Sequence, residues 1–263
     1  MKIPHSSIIA VMAAASTVSA FSRPLITRSS FLTATITKNN SNRLLRSSAI
    51  SMNLFSNFFS SSGAPSIDYT ALDPPGPELG AAAQAGQVIV PSDPNLLAAT
   101  FAGGCFWGLE LAYQRVPGVV YTAVGYTQGP EQNPTYNQVC SGGTGHTEAV
   151  VVYYNPKECS YDALLDTFFG RVDPTTVEGQ GNDRGKQYRT GVYFHTKEQE
   201  DIAKTRFEQV KGQYKRPIAS ECKTAMPFWP AEKYHQQYLE KGGRGGSPQN
   251  ANKGATDTIR CYG

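Results

Sequence analysis

The sequence predicts an α+β fold: a two-layer sandwich with a mixed sheet, a βαβ core of the ferredoxin-like kind, and a long coil tail at the C-terminus. Three observations carry this. Apolar runs of strand length alternate with segments of helical period from residue 97 onward. The helical segments carry their own caps and stops. The stretch 242–263 has no apolar period at all.

Residues 97–104, LAATFAGG, are an apolar run closed by two glycines, as in a buried strand entering a tight turn. Leu109, Ala112, Tyr113 and Val116 then recur at helical spacing, and Pro117-Gly118 stops that helix. Residues 119–127, VVYTAVGYT, make the second strand. A long polar loop over 133–146 precedes a third strand at 148–154, EAVVVYY. Ser160 is placed to cap a helix over 160–172. A loop rich in Gly and Asp, 173–187, leads to a strand over 188–195. Thr196 opens the next helix, with Gln199 at the capping-box position. A further strand and a short helix over 231–241 come last. About 165 residues in this stretch suffice for one sizeable core.

The N-terminal part reads differently. Residues 1–67 contain Lys2, Arg23, Arg28, Lys38, Arg43 and Arg46 and no acid; the first is Asp68. An apolar run over 8–20 ends in small residues and is too short to span a bilayer. Ser, Thr and Arg dominate the following stretch. Together they read as a signal peptide followed by a transit peptide, a two-step address to a plastid; mitochondrion and secretion are the alternatives. The formal charge of the whole chain is +3. It belongs to this address, because the remainder is acidic, and no basic stripe with interleaved aromatics points to nucleic acid. Residues 68–95, rich in Pro, Gly and Ala, read as a linker or a strap lying on the domain. The domain proper is 96–263, and a monomer is expected.

Five cysteines, Cys105, Cys140, Cys159, Cys222 and Cys261, are odd in number and widely spaced, with no Cys-x-x-Cys. That argues against a disulfide scaffold and against a structural zinc site. Cys105 stands out, in GGCFWG, where a strand turns into a helix. A helix N-terminus offers free N–H groups and a partial positive charge, which favour a thiolate. A free thiol titrates near 8.5, and such a position is expected to lower it by about one unit or more. Gly103 and Gly104 allow a tight turn and leave room for a substrate. A thiolate attacks acyl carbon, disulfide, peroxide or sulfoxide. Acyl chemistry needs a base, for which His146, His195 and His235 are available. Phe106 and Trp107 suit an apolar wall for a small uncharged group such as a methyl.

GCFWGLE resembles the active-site motif of the methionine sulfoxide reductase A family. GVVYTAVGYTQGPEQNPTYNQVCSGGTGHTEAVVVYYNP, DPTTVEGQGNDRGKQYRTGVYF and AEKYHQQYLEKGGR look like its later blocks in the same order, and the ending IRCYG is similar to plastid-type members. The resemblance covers nearly all of 98–263. It implies reduction of methionine S-sulfoxide, with Cys105 as nucleophile and Glu148 as the acid that protonates the sulfoxide oxygen. It further implies Tyr136 and Tyr188 as hydroxyl donors to that oxygen, Asp183 in the same network, and Phe106 and Trp107 as the methyl pocket. Cys261 would be the resolving thiol. No metal or organic cofactor is implied; the reductant would be thioredoxin or a similar dithiol.

The chain departs from the family in two places. Relatives often carry a Cys six residues before the last one, where this chain has Ala255; relatives read His before Asp-Pro-Thr-Thr, where this chain has Val172. Two other readings compete: a cysteine hydrolase using Cys105 and His146, and a redox sensor built on a Cys105–Cys261 bond.

Overall fold

The computed structural model describes residues 66–261. The address expected over 1–67 lies almost wholly outside them, as do Tyr262 and Gly263. The elements in chain order are α1 (Gly76–Gln84), β1 (Leu97–Gly103), α2 (Phe106–Gln114), β2 (Val119–Thr127), α3 (Tyr136–Cys140), β3 (Thr147–Tyr154), α4 (Tyr161–Arg171), β4 (Gly179–Gln180), β5 (Asp183–Arg184), β6 (Thr190–Phe194), α5 (Lys197–Lys211), β7 (Glu221–Thr224) and β8 (Trp229–Pro230). No described helix is long and apolar enough to cross a membrane.

Six strands form one sheet in the order β7-β6-β1-β3-β2-β8. β1 and β2 both run antiparallel to β3, which lies between them. β3 and β6 both run antiparallel to β1. Two crossovers, β1-α2-β2 and β3-α4-β6, therefore interleave, as the ferredoxin-like expectation requires. The β6–β7 pair is parallel, so the sheet is mixed.

Alternation along the strands builds two apolar faces. Phe101, Val150, Val152 and Tyr154 meet Tyr113 of α2 and Leu164, Leu165 and Phe168 of α4. Ala98, Ala102, Ala149, Val151, Tyr153 and Tyr193 face the other way. Leu79 of α1, Ile89, Leu96 and Phe228 cover that second face. Residues 68–95 are thus a strap, not a free linker. Pro77 in the first turn, Glu78 beside it and the alanine run 81–83 make α1. Burying Leu79 and Ile89 contributes about 1.5–3 kcal/mol each.

The caps agree with the sequence. Ser160 accepts from Ala163 N at 3.2 Å. Thr196 accepts from Gln199 N at 3.2 Å, while Gln199 Oε1 accepts from His195 N at 2.8 Å, one residue before the position a capping box uses. Four expectations are corrected. The polar loop 133–146 contains α3, closed by a Thr135–Gln138 capping box. The loop 173–187 contains the β4–β5 hairpin. Tyr188 ends a short 3₁₀ turn, and β6 starts at Thr190. Residues 231–241 form no α-helix, only a 3₁₀ turn over Lys233–His235 followed by turns. Tertiary bonds override helix propensity there: Gln236 accepts from Val124 N and donates to Val124 O and Ala231 O, taking the place of a strand beside β2. The tail is coil, as expected.

Candidate active site

Antiparallel pairing of β1 with β3 brings the end of β1 to the start of β3. Cys105, the N-cap of α2, and Glu148, the second residue of β3, meet at that junction. Phe106 N donates to Glu148 Oε2 at 3.0 Å. The turn needs Gly104: its φ is +79°, and a Cβ there would lie 2.6 Å from Gln180 Cβ. The space beside Gly104 is taken by Gln180 of β4, while Gly103 lines the cavity that Cys105 faces. Val172 packs against Gly103 and props the same turn.

Glu148 is 2% exposed. Burial raises its pKa to about 8, with Asp183 adding to the rise and the Phe106 N–H opposing it. The carboxyl is thus mostly protonated at neutral pH. Cys105 differs from the sequence expectation. Burial, then the charge of Glu148, push its thiol up; the Trp107 N–H at the helix start pulls down; Asp183 and Cys261 add further upward pressure. Desolvation outweighs the helix terminus. The second-largest of these pressures vanishes once Glu148 holds its proton.

Asp183 reaches the site from the β4–β5 hairpin. A cavity of about 310 Å³ is lined by Cys105, Gly108, Arg171, Gln180, Asp183 and Cys261, among others. Cys105 and Cys261 share one space, and Arg171 Nη2 lies 4.0 Å from Cys261 Sγ. Tyr136 and Tyr188 flank the same centre. Burial raises both hydroxyls' pKa values, and the charge of Glu148 acts on each. Phe106 is buried at 1% exposure, so Trp107, half-buried, presents the outer wall. Tyr238 stacks on Trp107 with centroids 3.9 Å apart.

His146 packs against Gly129 and is held neutral, near 4, by burial and by the charge of Arg189. His195 joins Thr100 at 2.8 Å. All five cysteines are free thiols. Among the described residues no cluster of His, Cys, Asp and Glu could hold a metal ion.

The sequence of residues 97–260 matches the family model described as peptide methionine sulfoxide reductase. The chain belongs to the peptide methionine sulfoxide reductase family. It is 55% identical over 165 residues to peptide methionine sulfoxide reductase A3 of Arabidopsis thaliana, covering 63% of this chain and 82% of that one. It is 53% identical over 187 residues to the chloroplastic A4 form of the same plant, 71% of this chain and 72% of that one. Among solved structures, methionine sulfoxide reductase A of Corynebacterium diphtheriae superimposes with a TM-score of 0.55 at 35% identity, covering 57% of this chain and 77% of that chain. Reduced Mxr1 from Saccharomyces cerevisiae gives 0.54 at 34%, with 59% and 90% covered. This reductase therefore returns methionine sulfoxide in proteins to methionine, and the hydrolase reading falls away.

The sequence named His235 only as a candidate base and did not assign Glu232 or Tyr238 to the candidate site. Glu232 accepts from Tyr136 N and from the Tyr126 hydroxyl, both at 2.9 Å. His235 sits among Phe106, Trp107, Tyr136 and Tyr234, with centroids 4.2–5.6 Å away. Tyr238 backs Trp107. All three lie in 231–241. The available signal was the density of aromatic and ionisable residues directly after Trp229-Pro230.

Proposed function

We propose that this reductase acts on the S epimer of methionine sulfoxide with Cys105 as nucleophile and Glu148 as general acid. The buried carboxyl of Glu148, bonded by Phe106 N beside the Cys105 turn, is the observation that carries the reading. A sulfoxide oxygen leaves only when protonated, and a carboxyl near 8 holds a proton to give at neutral pH. The hydroxyls of Tyr136 and Tyr188 would hold that oxygen, with Asp183 beside them. Trp107, backed by Phe106 and Tyr238, would take the S-methyl. The S–O bond passes to Cys105, which becomes a sulfenic acid as methionine leaves.

Cys261 would then condense with the sulfenic acid, releasing water and forming a disulfide. A dithiol protein of the thioredoxin kind would reduce that disulfide. The chemistry invokes thiols and a proton donor, with no metal or organic cofactor. A plastid is the compartment the reading favours, on the basic, acid-free residues 1–67 and on relatives from Arabidopsis thaliana and rice whose names carry the word chloroplastic.

The test is reduction of a racemic methionine sulfoxide peptide by the full chain with dithiothreitol, resolved on a chiral column. Consumption of the S epimer alone, lost in Cys105→Ser, is expected. Consumption of the R epimer, or survival of activity in Cys105→Ser, would overturn the assignment.

A further inference from the structure

The C-terminal tail is docked along helix α2, the helix whose N-cap is Cys105. The end of α2 remote from Cys105 holds it. Gly254 N donates to Arg115 O at 2.8 Å, and Lys253 Nζ to Gln114 O at 2.6 Å. The Arg115 guanidinium, though charged, is only 7% exposed. Every nitrogen of it is spent on the tail: Nε donates to Asn250 O at 2.8 Å, Nη1 to Asp257 O at 2.6 Å, and Nη2 to Asp257 Oδ2 at 2.9 Å. A buried guanidinium without such partners is strongly disfavoured. Closer to the end, Gln249 and Arg260 exchange two hydrogen bonds, at 2.7 and 2.9 Å.

The other end of α2 receives the thiol. A Cβ on Gly108 would lie 3.0 Å from Cys261 Sγ and 3.9 Å from Ile259 Cγ2. Gly108 and Arg115 are seven residues apart, two turns along one helical face, or roughly 10 Å. The four peptide steps from Asp257 to Cys261 span at most roughly 13–14 Å when extended. The clamp at Arg115 therefore sets the register at which Cys261 arrives beside Cys105.

We propose that Arg115 is a positioning residue for the resolving half of the reaction: it clamps the tail on α2 so that Cys261 reaches the Cys105 sulfenic acid. This rests on the assignment of Cys261 as the resolving thiol. In the step concerned, the Cys261 sulfur bonds to the Cys105 sulfur. The Cys105 S–O bond breaks, and the hydroxyl leaves as water with the Cys261 proton. Arg115 touches none of these atoms.

The reduced full chain, freed of reductant, is mixed with excess methionine sulfoxide peptide. Methionine formed, thiols lost and dimedone-trapped sulfenic acid are followed in time. In the wild type one methionine appears per chain and two thiols vanish, with little trapping. In Arg115→Ala the methionine burst keeps its rate and size. Trapped sulfenic acid accumulates on Cys105, and disulfide formation slows at least about tenfold, as expected when a docked thiol becomes merely tethered. Arg115→Lys restores part of the rate. A normal burst with wild-type disulfide formation in Arg115→Ala overturns the clamp. If Arg115→Ala fails to fold, the exposed pair Lys253→Ala with Asp257→Ala decides: slowing of about threefold or more supports the clamp, and a wild-type rate overturns it. Cys261→Ser separates the two ideas. If it still loses two thiols per methionine, the resolving assignment itself is wrong.

Discussion

Glu148 and Cys105 have opposite needs in one desolvated space. Burial disfavours both charged forms. At neutral pH both therefore keep their protons, and in the proposed mechanism the carboxyl's is the one given to the sulfoxide oxygen. The carboxyl's pKa is raised to about 8, so its proton is present below that pH and lost above it. The first methionine should form at a rate that falls as pH climbs past about 8. Glu148→Gln should be slower by about 10²–10⁴-fold and lose that limb of the profile. Stopped single-turnover rates between pH 6 and 10 measure both. A wild-type rate that keeps rising through pH 9 would remove Glu148 from the role of acid. A second buried carboxyl, Glu110, also sits near 8, chiefly through burial. It accepts from Thr122 and from the backbone and side chain of Gln237. Its folded pKa lies above the ordinary carboxylate value. Its contribution to stability is therefore intact below about 4.5, is lost as pH rises, and is fully lost above about 8. Glu110→Gln should lose less stability than wild type between pH 5 and 8.5, read from urea midpoints.

In the proposed mechanism helix α2 is the element on which the two halves of the reaction meet, and its entry turn needs a glycine at 104. Gly104→Ala would place a side chain at φ +79° and against Gln180. A loss of about 1–2 kcal/mol or more is expected, together with a sharp loss of activity because the Cys105 turn must move. Ser160→Ala, by contrast, removes one cap of α4 far along the chain. It should cost about 1 kcal/mol in a melt and leave turnover unchanged. β1, α2, β2, β3 and α4 were legible because their apolar period is long and their stops are glycine, proline or a capping hydroxyl. β4, β5 and β8 are two residues each. No periodicity exists at that length, and only the tertiary frame makes them strands. Residues 231–241 misled because Gln, Glu, Lys and Leu are good helix formers, while the bonds to Val124 and Glu110 favour an irregular path.

For the whole molecule, the second face of the sheet is the part that composition concealed. Pro, Gly and Ala left open whether residues 68–95 are a linker or a strap lying on the domain, and the burial of Tyr69, Leu72, Leu79, Ala83 and Ile89 makes them a strap. A chain starting at residue 97 should lose several degrees in its melting temperature and bind a hydrophobic dye, whereas one starting at residue 66 should match the full chain. Equal melting of the two truncations would show that the strap is dispensable. The residues proposed as nucleophile and acid were legible because motif and chemistry point to the same positions, Cys105 and Glu148. The wall behind Trp107 was not, since His235 and Tyr238 arrive from a segment more than 120 residues downstream of Cys105.

The docked tail bears on how long the enzyme survives its surroundings. A sulfenic acid exposed to hydrogen peroxide goes on to sulfinic and sulfonic acids, which thiols do not reverse. Cys261 already lines the same cavity as Cys105, so in the proposed mechanism the oxidised nucleophile is covered and consumed in one move. On that mechanism every repair cycle would pass through the state most easily ruined, and the short reach from tail to nucleophile would keep that state brief.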